Sequence, residues 1–178
     1  MEDVVLFYRP NQGKYGCFSN FYLQQPFPFF GESTEISMFI DKPVVSCHFA
    51  EKPLMLCKSA MFGDDEIFDR ILKAKTPGEV KSLGREVRGY DDDVWDEYRE
   101  FFMYLILKSK FESCPRFLGI LLGTGTRTIA EASKTDCVWG IGVSMNEEEA
   151  LNPSTWKGRN LLGNALMRTR DHFASFSV

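Results

Sequence analysis

The sequence predicts a mainly α-helical fold with a few short β-strands, in a single domain. Three observations predict it. Val94, Trp95, Tyr98, Phe101, Phe102, Leu105 and Ile106 recur at helical spacing and make a wide apolar stripe over about 94–108. Thr76-Pro77-Gly78-Glu79 carries a helix-start signature, a capping Thr with Pro at the first helical position and Glu three residues on. The β-branched and aromatic runs are short, and the 178 residues contain no repeat, linker or low-complexity segment.

In chain order, Val4-Val5-Leu6-Phe7-Tyr8 reads as a first strand, followed by the turn residues Arg9-Pro10-Asn11-Gln12-Gly13. Residues 24–43, with Pro26, Pro28 and Gly31, read as a hairpin or surface loop, and Val44-Val45 as the end of a strand. A helix is expected over about 49–62, with Pro53 tolerable only in its first turn. Asp64 or Asp65 caps the next helix, through Ile67, Phe68, Ile71 and Leu72. Asp91-Asp92-Asp93 complements the dipole of the long helix, and Lys108 and Lys110 suit its C-terminal end. Cys114-Pro115 opens a helix stopped at Gly123, residues 127–132 read as a strand or turn, and a last helix starts near Asn160. An α+β arrangement of these pieces stays open.

Composition narrows the function classes. A formal net charge of −4 gives no basic face for nucleic acid. No apolar run approaches the ~20 residues a bilayer span needs, and the acidic Met1-Glu2-Asp3 start is unlike a signal peptide. Five cysteines without C-x-x-C spacing fit reduced thiols in a cytoplasmic protein, and with two histidines they make no metal-site pattern.

Two of the three tryptophans lie in Asp136-Cys137-Val138-Trp139-Gly140-Ile141-Gly142 and Trp156-Lys157-Gly158-Arg159-Asn160-Leu161-Leu162-Gly163. An indole, a carboxylate and glycine-opened backbone suit a flat polar heterocycle; a core indole at a tight turn fits the same stretch. Ser19-Asn20 sits in an aromatic frame, as turn residues or as ligand contacts. Glu51 and Lys58, seven apart, share one helical face, either as solvated flanks or as two prongs of a cleft.

Taken in order, Phe18-Ser19-Asn20-Phe21-Tyr22, Glu51 with Lys58, Phe62-Gly63-Asp64, Gly84-Arg85, Trp95, Met103 and Lys110-Phe111 form the first part of a pattern. Leu121-Leu122 with Thr126, Glu131-Ala132 and the two tryptophan stretches, through Leu166-Met167, complete it. This ordered set resembles the NADAR superfamily, the YbiA-like N-glycosidases, over nearly the whole chain. The resemblance implies a YbiA-like helical fold and cleavage of an N-glycosidic bond to ribose, with no metal or cofactor. Its best-known activity hydrolyses unstable early intermediates of riboflavin biosynthesis, releasing ribose 5-phosphate from an aminopyrimidine. Other members act on ADP-ribose chemistry, including ADP-ribosylated guanine. One position departs: the family usually has histidine after the glutamate, and here Lys52 and then Pro53 follow.

Breaking a C1′–N bond builds oxocarbenium character on the ribose and negative charge on the departing nitrogen, and two carboxylates can divide that work. With the resemblance, Glu51 and Asp136 are the expected catalytic pair, Glu51 being the water-activating base. Trp139 and Trp95 are candidates to stack on the heterocycle, with core packing equally open for Trp95; Trp156 packs the following turn or lines the pocket. Lys58, Arg85 and Arg159 are available to a phosphate, Lys58 first, and Asn20 and Asn160 to ribose hydroxyls or the base edge. The expected ligand is a nucleotide-like small molecule. The competing readings are a hydrolase or reader of ADP-ribose or NAD derivatives, and a non-catalytic nucleotide-binding module.

Overall fold

The computed structural model describes residues 4–29, 42 and 44–175. Its described elements are six α-helices, four short β-strands and three short 3-10 helices. The mainly helical class expected from the sequence is the one observed. The chain forms two compact units, Met1–Tyr22 with Cys114–Val178, and Leu23–Ser113.

In the unit spanning Leu23–Ser113, the strands β2 (Phe27–Phe29) and β3 (Val45–Cys47) pair antiparallel, Phe27 opposite Cys47 and Phe29 opposite Val45. They are the described part of the expected hairpin; residues 30–41 and 43 lie outside the described residues. Helix α1 (Glu51–Met61) follows and packs against α2 (Asp65–Lys73), α3 (Pro77–Gly84) and α4 (Asp92–Glu112). Neighbours on several sides explain why its buried residues, Pro53, Leu54, Leu56, Cys57 and Ser59, do not keep to one narrow stripe. Pro53 falls in the first turn, where its missing amide donor breaks no helical bond. Gly84 lets α3 approach α1 closely, because a Cβ there would lie 2.0 Å from Met55 Sδ.

The helix starts follow their sequence signals. Asp64 accepts from the Ile67 amide and Thr76 from the Glu79 amide, while Asp91 accepts from both Asp93 and Val94. The Glu79 carboxylate takes the Lys75 amide at 3.0 Å, one residue before the usual reciprocal partner of a capping box. Helix α4 extends past the expected stripe to Glu112, and Lys110 lies in its last turn, as expected. It is fully buried, with Nζ 5.7 Å from the Phe111 ring centroid.

In the other unit, β1 (Val4–Phe7) pairs in parallel with β4 (Thr128–Glu131), Val5 opposite Ile129 and Phe7 opposite Glu131. Residues 127–132, open between strand and turn in the sequence, therefore hold a strand. Helix α5 (Pro115–Leu122) packs on α6 (Leu161–Ala174), and α6 packs on β4. Gly163 permits that last contact, since a Cβ there would lie 2.1 Å from the Ile129 carbonyl oxygen. Between β4 and α6, residues 132–160 form loop and short 3-10 turns around Ala132, Ile141, Val143 and Ala150.

Candidate active site

Helix α1 carries two of the expected residues. Glu51 opens it and is 6% exposed, a carboxylate in the first turn, where the helix dipole favours negative charge. Lys58 follows two turns later, roughly 10 Å along the axis. Its Nζ donates to the Gly84 carbonyl at 2.8 Å and lies 3.8 Å from the Tyr90 ring centroid. Burial lowers the Lys58 pKa, Arg99 adds to that, and Asp92 opposes it. This ammonium is held in place by a carbonyl and an aromatic face rather than extended into water.

The surroundings of Lys58 bring in three residues that the sequence reading did not select. The Tyr90 hydroxyl donates to the Asp92 carboxylate, which also accepts from Arg99 Nη2 at 2.7 Å. Arg99 Nε lies 3.1 Å from Asp96 Oδ1. Partial burial and the bond to Asp92 raise the Tyr90 phenol to about 12, while Tyr90 and Arg99 lower the Asp92 carboxyl. The signal was present in the sequence: Arg99 falls at helical spacing with Trp95 and Phe102, a cation within the apolar stripe. Its burial, at 6% exposure, follows from that position.

The remaining candidates in this unit differ in access. Trp95 is 4% exposed and tilted against Phe102, with ring centroids 5.9 Å apart, so its indole belongs to the core. Arg85 follows α3 and is exposed. Lys52 turns its Nζ to the end of α2, donating to Leu72 O at 2.8 Å and Ala74 O at 3.0 Å. Lys52 thus serves as a C-terminal cap of the neighbouring helix.

In the other unit, Asp136 builds the turn that presents Trp139. Its Oδ1 accepts from the Val138 amide at 3.0 Å and the Trp139 amide at 2.8 Å. The returning chain is laced onto this turn: Arg159 N donates to Cys137 O, Asn160 N to Gly140 O, Leu161 N to Val138 O and Leu162 N to Trp139 O. Such close lacing needs glycine at 158, where a Cβ would come within 2.3 Å of Gly140 O. The Trp139 side chain stays partly exposed.

Asn160, expected to meet a ligand, spends its carboxamide on backbone. It adopts left-handed φ 55° and ψ 37°, donates through Nδ2 to Ile129 O at 2.9 Å, and accepts the Glu131 amide on Oδ1 at 3.2 Å. Trp156 also turns inward, donating from Nε1 to Ala150 O at 3.1 Å. Arg159 is exposed. Asn20 is 7% exposed, and its Oδ1 is buried with no donor among the described residues. Among the described residues no three His, Cys, Asp or Glu side chains gather in a metal-holding group, and no helix is long and apolar enough to cross a membrane.

Comparison with known proteins gives one family. The model of the NADAR domain matches residues 6–174. The chain is 35% identical over 122 residues to N-glycosidase R617 of Acanthamoeba polyphaga mimivirus, a match covering 68% of this chain and 72% of that one. It is 33% identical over 109 residues to the chloroplastic riboflavin biosynthesis protein PYRR of Zea mays, covering 59% of this chain and 16% of the relative. The NMR structure of Escherichia coli YbiA shares the fold, with a TM-score of 0.73 at 24% identity over 99% of this chain and 88% of that one.

Proposed function

We propose, from the premise that this chain belongs to the NADAR domain family, that it is a hydrolase cleaving the N-glycosidic bond between ribose and a heterocyclic amine. Phosphoribosylated early intermediates of riboflavin synthesis are the substrates we favour. A relative named N-glycosidase and another named for riboflavin biosynthesis support that choice. The observation that carries the reading is the buried Glu51 carboxylate at the start of α1, on the helix that also holds the desolvated Lys58. A carboxylate taken out of bulk water suits proton abstraction from a single bound water.

In this reading the C1′–N electron pair leaves with the heterocycle while the ribose passes through an oxocarbenium-like state. Glu51 takes a proton from water, whose oxygen bonds to C1′, and the departing nitrogen takes a proton from solvent, to which Glu51 returns its own. The products are the free amine and ribose 5-phosphate. Asp136 supplies the second carboxylate and sets the Trp139 turn, and the partly exposed indole offers a stacking face, an interaction of ~1–3 kcal/mol per base. Lys58, Arg85 and Arg159 are the phosphate-binding cations. Asn20 is the amide assigned to the ribose hydroxyls or the base edge. The five free thiols support a cytoplasmic setting.

Incubation of the purified protein with the phosphoribosylated aminopyrimidine, with an ADP-ribosylated guanine nucleotide and with NAD tests the assignment. Release of ribose phosphate from the first alone is expected. Release from the ADP-ribosylated compounds alone moves the assignment to that chemistry, and binding without release from any makes the chain a nucleotide-binding module.

A further inference from the structure

A cleft of about 450 Å³ opens in the Leu23–Ser113 unit, between the start of α1 and the segment joining α2 to α3. Its lining combines an apolar part, Leu23, Phe49 and Leu72, with four basic side chains, His48, Lys52, Lys73 and Lys75. No acidic side chain lines it among the described residues, although the whole chain is net negative at −4. That volume falls within the range of small-molecule pockets, and like charges in a concave surface reinforce one another's field.

These lysines do not share one task. The carbonyl end of α2 would ordinarily account for cations at this place. Here Lys52 already fills that role, donating to Leu72 O and Ala74 O. Lys73 and Lys75 are exposed and have no carboxylate partner among the described residues. The nearby Glu79 carboxylate is taken up by the main-chain amide of Lys75. Gln24, also in the wall, is tied to His48 through its backbone, its amide donating to His48 O and its carbonyl oxygen meeting His48 Nδ1. The cleft therefore offers an apolar surface and two cations that have no carboxylate partner among the described residues.

We propose that this cleft binds a small phosphomonoester. Lys73 and Lys75 hold the phosphate as point charges, and Leu23, Phe49 and Leu72 cover an apolar or aromatic body. Two lysine ammoniums match the charge of a phosphate monoester near neutral pH, about −1.5 to −2.

The test is a titration of the ¹⁵N-labelled full chain with phenyl phosphate, with inorganic phosphate and phenol as controls. Saturable amide shifts are expected at Phe49, Lys52 and Ala74, with phenyl phosphate binding more tightly than either control. In the Lys73→Met/Lys75→Met double variant, both sites being exposed, affinity is expected to fall at least tenfold with the amide spectrum of the folded chain retained. Absence of saturable shifts at those amides overturns the proposal. So does binding that survives the double variant, or that is lost in Lys58→Met instead. Binding is read directly, so the result stands apart from any turnover.

Discussion

The Asn160 side chain grips Ile129 across 31 positions, Nδ2 donating to the Ile129 carbonyl at 2.9 Å while Oδ1 accepts from Glu131 at 3.2 Å. One carboxamide thereby ties β4 to the start of α6, and the residues beside it are laced to the Asp136–Trp139 turn. Asn160→Asp keeps the acceptor and tolerates the left-handed backbone, but it sets an oxygen against the Ile129 carbonyl. A loss of about 1–3 kcal/mol is expected in urea unfolding, the cost of a buried group left unmatched. A change below 0.5 kcal/mol would show that the clasp is not structural.

How legible such features are in a sequence depends on how far apart their partners lie. The Thr76 cap, the place of Pro53 and the α4 stripe are decided within a few residues and are legible from spacing, whereas Asp91, legible as a dipole charge, turns out to be the cap itself. Asn160 and Trp156 were read as ligand contacts or turn packing, yet the Asn160 carboxamide is occupied by β4 and the Trp156 indole by Ala150. The partners of Asn160 lie about thirty residues upstream, beyond any local pattern. Lys110 does lie in the last turn of its helix, where spacing puts it, but its burial is set by the packing of α4, which periodicity does not report. Arg99 is legible in principle, as a cation at helical spacing within the apolar stripe.

Gly163 gives a sharper test of the same corner. Within a helix, Gly→Ala ordinarily stabilises by roughly 1 kcal/mol. At this position the added methyl would meet Ile129 O at 2.1 Å and both polar atoms of the Asn160 carboxamide within 2.5 Å. Gly163→Ala is therefore expected to lower the melting temperature, whereas Gly119→Ala, with nothing within 4 Å, is not. A higher melting temperature for Gly163→Ala would mean that β4 and α6 can separate cheaply.

Asp64 is expected to contribute to the acid limb of stability. Its buried carboxylate caps α2 and accepts three bonds from Arg88: Nη2 at 2.6 Å, the backbone amide at 2.8 Å and Nε at 3.1 Å. The side-chain bonds from Arg88 come first among the causes that hold its pKa well below the usual carboxylate range. A depressed folded-state pKa gives stability that is complete above the unfolded value, about 3.9, and is lost as pH falls below it toward the folded one. Chemical denaturation from pH 6 down to pH 2 should show that loss in the native protein and a flatter profile in Asp64→Asn. Parallel profiles would remove Asp64 from the acid response.

For the chemistry, the informative comparison is Asp136→Asn beside Asp136→Ala and Glu51→Gln. Asparagine keeps an oxygen at Oδ1 and so can still accept the Val138 and Trp139 amides, while alanine releases the turn. On the N-glycosidase reading, Glu51→Gln should cut turnover of the phosphoribosylated amine by about 10²–10⁴-fold, the range of general acid–base catalysis, with unfolding little changed. Asp136→Asn should lose activity with stability retained, and Asp136→Ala should lose both. Turnover near the native rate in folded Glu51→Gln would remove the base from this assignment. If Asp136→Asn were active and Asp136→Ala inactive, the Asp136 carboxylate would serve only to shape the turn beneath Trp139.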